Sequence, residues 1–176
     1  MSSEVIRRHT YAAPLQRAAP FIGIAAIRRV ASHSRANYVR ILRHGCEAFE
    51  SLEGYGAVLT DLSSAQLSTA ASSDVPGMSE AEHLDHVQEG DILRLDFERG
   101  YVRSLYRVSS PHNVIFATDR CNSNCLMCSQ PPKDKDDPNV VSDHLGLVSL
   151  IPPTTSVLGI TGGEPTLLGE GLFRIL

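Results

Sequence analysis

The stretch Asn113-Val-Ile-Phe-Ala-Thr-Asp-Arg-Cys-Asn-Ser-Asn-Cys-Leu-Met-Cys128 decides how this chain is read. Its first five residues, Asn113 to Ala117, are a short apolar run, the pattern of a β-strand buried on both faces. Three cysteines follow with the spacing C-x3-C-x2-C: Cys121, Cys125 and Cys128. Downstream, Val140 to Ile151 carries Val141, Leu145, Val148 and Ile151 at near-helical spacing, and Pro152-Pro153 stops it. Ser156 to Thr161 is a second short apolar strand, followed at once by Gly162-Gly163-Glu164-Pro165. Leu168 to Leu176 begins another helix. The order strand, loop, helix, strand, loop, helix start predicts a βαβ unit with parallel strands. Both motifs then lie just beyond strand carboxyl ends, where α/β proteins bind ligands.

Each motif carries its own chemistry. Thiolates close together on a loop can wrap one corner of an iron–sulfur cluster, and three of them leave a fourth iron open to a small molecule. A zinc site is the competing reading, with Cys121, Cys125, Cys128 and either His112 or His144 as a Cys3His set. Spacing alone does not separate the two, but a structural zinc site has no use for the second motif. Gly162 and Gly163 permit close approach of a ligand to the main chain. Glu164 offers an acceptor for an ammonium group, and Pro165 stiffens the turn. Asp119 and Arg120 precede the cysteines and either tune a cluster by charge or form an ordinary salt bridge. Cys46 lies far upstream without matching spacing and is expected to be a plain thiol.

Working upstream, Asp91 to Phe97 and Tyr101 to Val108 alternate apolar and polar residues around the turn Glu98-Arg99-Gly100, which predicts a β-hairpin. Tyr55 to Leu62 reads as a strand, Ser63 to Pro76 as a surface connection, and His83 to Gln88 as a short helical turn. Residues 50–108 are therefore expected to form a small β-rich module. Residues 1–49 show no clean period and their role is left open. His83 and His86 share a helical spacing, but no third ligand is near and a surface or turn placement is expected. His112 is either a strand-start residue or a neighbour of the metal site. Lys133 to Asp137 reads as a solvated charged loop.

The bulk properties exclude several classes. The net charge of −4 gives no basic excess to neutralise phosphates, so no nucleic-acid partner is expected. No apolar run approaches the ~20 residues that span a bilayer, so no membrane partner is expected. Phe21 to Ile27 is apolar, yet Arg17 precedes it, Arg28-Arg29 close it, and it is too short for a leader core. Three clustered cysteines suit a cytosolic metal site better than a disulfide framework, so a cytoplasmic location is expected.

Together these residues resemble the radical S-adenosylmethionine (SAM) superfamily, over about residues 111–176. The resemblance implies that Cys121, Cys125 and Cys128 ligate a [4Fe-4S] cluster whose open iron takes the amino and carboxylate groups of SAM. Gly162, Gly163 and Glu164 would hold the methionyl amino group. Reductive cleavage of SAM would give a 5′-deoxyadenosyl radical that takes hydrogen from substrate. Family members usually have an aromatic residue before the third cysteine, close to the adenine. Here it is Met127, a polarizable side chain that can pack on a ring.

A narrower likeness rests on Leu105-Tyr106-Arg107, Ser110, His112-Asn113, Arg120-Cys-Asn122 and Leu126-Met-Cys-Ser-Gln-Pro-Pro-Lys133. It resembles the radical SAM maturases of the His-Xaa-Ser peptide system. That likeness implies a ribosomally made precursor peptide as substrate and an electron donor such as flavodoxin or ferredoxin. The expected fold is α/β, the beginning of a partial (β/α)6 TIM-like barrel preceded by the small β-rich module. Only two of its strands are recognisable, so a truncated frame or a fragment of a longer protein is expected. The alternatives are an inactive remnant or peptide-binding module without catalysis, and a small zinc-stabilised domain.

Overall fold

The apolar run Phe21 to Ala26 becomes a strand with a neighbour on each side, in the middle of the larger of two sheets. The computed structural model describes residues 5–6, 19–45, 51–63, 66, 75–128, 133–134 and 138–176. Cys46, most of the Ser63–Pro76 connection, and parts of the loop from Ser129 to Asp137 lie outside the described residues. The chain divides into two compact units, Met1–Val108 and Ser109–Leu176. Among the described residues it is a mixed α/β protein with nine strands and two α-helices.

The first unit is built on a seven-stranded sheet. Its strands are β1 (Val5–Ile6), β2 (Phe21–Ala26), β3 (Tyr38–Leu42), β4 (Ala57–Thr60), β5 (Gly77–Met78), β6 (Ile92–Asp96) and β7 (Tyr101–Tyr106). They lie in the order β1-β7-β6-β2-β3-β4-β5. The pairs β1·β7, β7·β6 and β6·β2 are antiparallel, whereas β2·β3, β3·β4 and β4·β5 are parallel. The hairpin read from the alternation is β6–β7, with Asp96 opposite Tyr101 next to the turn. The short turn expected after His83 is a 3-10 turn at Leu84–His86. The sheet also takes in β2 and β3, so the β-rich body begins well before residue 50.

Parallel neighbours need crossovers, usually helical. Here the crossover from β2 to β3 holds only a 3-10 turn, Ser32–Asn37, and a buried arginine secures it. Arg35 donates from Nε to Val30 O (2.9 Å) and from Nη1 to Ser51 O (3.1 Å) and Glu53 O (3.0 Å). Its guanidinium carbon lies 4.8 Å from the centre of the Tyr55 ring. One cation thus satisfies three carbonyls from two crossovers, which a buried charge requires. Asp91, equally buried, accepts from Gln88 N (3.0 Å) and Val108 N (2.9 Å) and pins the two ends of the hairpin region. The core around Val39, Ile41, Leu59, Leu93, Leu95 and Val102 is continuous. Each such aliphatic side chain contributes about 1.5–3 kcal/mol by leaving water.

The second unit contains β8 (Asn113–Phe116), α1 (Val140–Leu150), β9 (Leu158–Thr161) and α2 (Glu170–Ile175). β8 and β9 pair in parallel, Asn113 with Leu158 through Phe116 with Thr161, so the unit is βαβ as read. Strands outnumber helices, and the described residues of this unit hold one parallel pair with its crossover helix, which does not by itself make a partial (β/α)6 barrel. One expectation is corrected. β8 is not buried on both faces: Asn113 and Ile115 are buried, while Val114 is 49% and Phe116 37% exposed. The alternation buries one face of β8, with Asn113 and Ile115, and leaves the face of Val114 and Phe116 open; among the described residues β9 is the single strand paired with β8. Helix α2 meets α1 where Gly171 faces Val141. No helix among the described residues is long and apolar enough to cross a membrane.

Candidate metal and cofactor site

The pairing of β8 with β9 continues past the strand ends into the two loops. Ala117 N donates to Thr161 O, Gly163 N to Thr118 O, and Glu164 N to Arg120 O, each at 2.7 Å. The chain then turns at Thr118, whose Oγ1 accepts from Arg120 N at 3.0 Å. One residue later comes Cys121. Parallel strands of equal length thus deliver the cysteine loop and the glycine loop to the same end, in contact.

The contact explains both glycines. Gly162 has φ +140, and a Cβ there would lie 2.6 Å from Thr118 O. A Cβ on Gly163 would lie 2.0 Å from Arg120 O and 3.0 Å from Cys121 Cβ. The space beside each glycine is filled by the main chain of the neighbouring loop. The sequence suggested room for a ligand; the geometry adds the stacking of one loop on the other.

The base of the cysteine loop is closed by Lys133 and Asp134. Arg120 and Lys133 form an isolated parallel bridge, and Cys121 N donates to Lys133 O at 3.3 Å. Lys133 Nζ reaches Asp119 Oδ2 at 3.2 Å, and Arg120 Nη2 lies 3.8 Å from Asp134 Oδ1. Asp119 and Arg120 therefore form ion pairs at the loop base. At this exposure such pairs add little stability.

Within the loop, Cys121 is half-buried and its Sγ accepts from Ser123 N at 3.4 Å. Cys128 N donates to Cys125 O at 3.0 Å, a turn that joins the backbones at Cys125 and Cys128, both exposed. Leu126 and Met127 form the tip of that turn and are almost fully exposed. Among the described residues, no group of three His, Cys, Asp or Glu side chains is gathered closely enough to hold a metal ion. The three thiols share one loop with a fixed base but do not yet converge. As a donor set they fit a thiolate-ligated iron–sulfur cluster, which needs soft ligands from one short segment.

Glu164 caps the 3-10 turn Pro165–Leu168. Its Oε1 accepts from Thr166 Oγ1 (2.7 Å) and Thr166 N (3.1 Å). Those two bonds hold its carboxyl below the ordinary range. The group is an anion at neutral pH, directly beside the cysteine loop through its own N–H.

Among the described residues neither His112 nor His144 is gathered with the cysteines into a group able to hold a metal ion. The ring nitrogens of His144 face Phe116 O (2.9 Å) and Val140 O, tying α1 to the end of β8. His112 is exposed and its backbone bonds locally with Ser110. His83 sits exposed with φ +57, and His86 lies in the following 3-10 turn. The residues that sequence reading missed are Thr118 and the carbonyls of Arg120 and Lys133. A threonine closing an apolar strand is a weak sign of a side-chain-to-backbone turn. The carbonyls leave no sign. No family model, no curated protein and no solved structure matches this chain.

Proposed function

We propose that this protein is a radical SAM enzyme that modifies a ribosomally made peptide, with Cys121, Cys125 and Cys128 holding a [4Fe-4S] cluster. The observation that carries the reading is the stacking of Gly163 on Arg120 and Cys121, which joins the two motifs at one strand end. These three cysteines would hold the cluster, whose chemistry when bound would be one-electron reduction of the SAM sulfonium. The chain's own residues do the rest. Cys121, Cys125 and Cys128 would supply three thiolates and no fourth, so that SAM could bind beside them. Gly162 and Gly163 bring main chain against the cysteine loop, and the anionic Glu164 attracts the methionyl ammonium. Met127, bare at the loop tip, offers a polarizable surface for the adenine. The corresponding fold is a partial (β/α)6 barrel that starts with β8, α1 and β9. A low-potential donor such as flavodoxin or ferredoxin, and a cytoplasmic setting, go with this chemistry.

Anaerobic reconstitution with ferrous iron and sulfide tests the proposal. The expected product has a broad visible absorption that changes on adding SAM. Alanine at Cys121, Cys125 or Cys128 abolishes both, and Cys46→Ala leaves them intact. Iron loading and SAM response that survive each of the three substitutions would sink the reading. One zinc per chain with no response to SAM would establish the zinc-stabilised alternative instead.

A further inference from the structure

One residue that is neither a cysteine nor part of the glycine motif bonds to both loops of the site, through its main-chain carbonyl to the glycine loop and through its hydroxyl to the cysteine loop. Thr118 is 5% exposed. Its hydroxyl accepts from Arg120 N at 3.0 Å, and its carbonyl accepts from Gly163 N at 2.7 Å. The carbonyl fixes the height of the glycine loop. The hydroxyl fixes the turn that leads from β8 to Arg120, and so the direction in which Arg120 O meets Glu164 N. Any residue can supply the carbonyl. The hydroxyl bond closes a two-residue side-chain-to-backbone turn, which needs a short side-chain oxygen acceptor, as Thr, Ser, Asn and Asp have; Val and Ala have none.

We infer that Thr118 is a positioning residue for SAM: its hydroxyl aligns the Gly163–Glu164 loop with the cysteine loop, so that SAM meets both at once. The inference rests on the function proposed above. The thiolates hold iron without it, so its loss affects SAM far more than metal. Groups that orient the ligands of a metal site typically cost about 10–100-fold in metal affinity or activity when removed, and a loss at the lower end of that range is expected here in SAM affinity.

The test compares the full chain with Thr118→Val, which keeps the shape and deletes the hydroxyl, and with Thr118→Ser, which restores it. Three quantities are read: iron per chain after anaerobic reconstitution, the dissociation constant for SAM, and amide exchange at Arg120 and Glu164 in the metal-free protein. In Thr118→Val, iron loading stays full, SAM binding weakens by roughly tenfold or more, and the Arg120 amide exchanges faster. In Thr118→Ser, SAM affinity returns to within about twofold of the parent. Unchanged SAM affinity in a fully loaded Thr118→Val protein overturns the inference while leaving the cluster assignment standing. Loss of iron in parallel with SAM also overturns it, because the hydroxyl would then hold the loop together rather than align it. If the parent chain itself takes up no cluster, the functional reading fails and the inference falls with it. Should Thr118→Val not fold, Thr118→Ala carries the same comparison.

Discussion

The two units use their strands in opposite ways. In the first, Ala57, Val58, Leu59 and Thr60 of β4 are all buried, and β6 buries every residue except Arg94. In the second, β8 alternates buried with exposed, and β9 buries none of its four residues. The first unit places its apolar surface inside and ties its crossovers with enclosed charges such as Arg35 and Asp91. The second leaves apolar side chains outside and invests in main-chain bonds at the ends of two strands. Burial is concentrated in the strands of the first unit, and the cysteine and glycine motifs lie in the second.

Substitutions should expose that division. The largest effect is expected for Leu59→Ala, in the fully buried core of the first unit, which should lose about 2–5 kcal/mol of unfolding free energy in a urea titration. Val114→Ala, on the open face of β8, should cost about 0.5 kcal/mol or less in the same titration. Equal costs would erase the contrast.

Gly163→Ala sharpens it from the other side. The new methyl would meet Arg120 O, a backbone atom with little room to yield, at a cost of about 1–3 kcal/mol. The damage should be local, seen as faster exchange of the Glu164 amide with protection in the first unit unchanged. Spread of the effect into β2–β7 would mean that the units are not energetically separate.

The smallest effect concerns Glu164. Its folded carboxyl titrates below the ordinary 4.5 because of the Thr166 hydroxyl and N–H. Its contribution to the turn is therefore complete above 4.5 and fades as pH falls through the lower folded value. Thr166→Ala should move the titration upward toward 4.5, followed by the carboxyl carbon shift against pH. No movement would show that the cap is not formed in solution.

Much of the second unit was legible because its signals are local. Near-helical spacing gave α1, and two short apolar runs gave β8 and β9. The hairpin β6–β7 was legible for the same reason, since alternation and a glycine turn report on neighbours close in sequence. The central strand β2 was not. Phe21 to Ala26 is an apolar run like those of β8 and β9, but no motif or turn beside it arbitrates between a strand and another apolar segment. β3 was obscured by Arg40, whose charge suggests a surface position. In the fold its Nη1 donates to Ala26 O (3.1 Å) and Ile27 O, so the charge is absorbed by the neighbouring strand end. The exposure of Val114 and Phe116 could not be read either, because apolar composition does not say how many neighbours a strand acquires. At the site, the cysteines and glycines declare themselves by type and spacing. Thr118 and the carbonyls of Arg120 and Lys133 do not, since every residue owns a carbonyl and only the fold selects which ones matter.

The bare tip of the cysteine turn brings a practical benefit. Met127 is 97% exposed, whereas Met78 is 2% exposed in the first unit. Dilute peroxide will convert the former to its sulfoxide long before the latter. The chain thus carries its own footprinting pair, a sulfur that any molecule seated on the turn would shield and a second that reports unfolding alone.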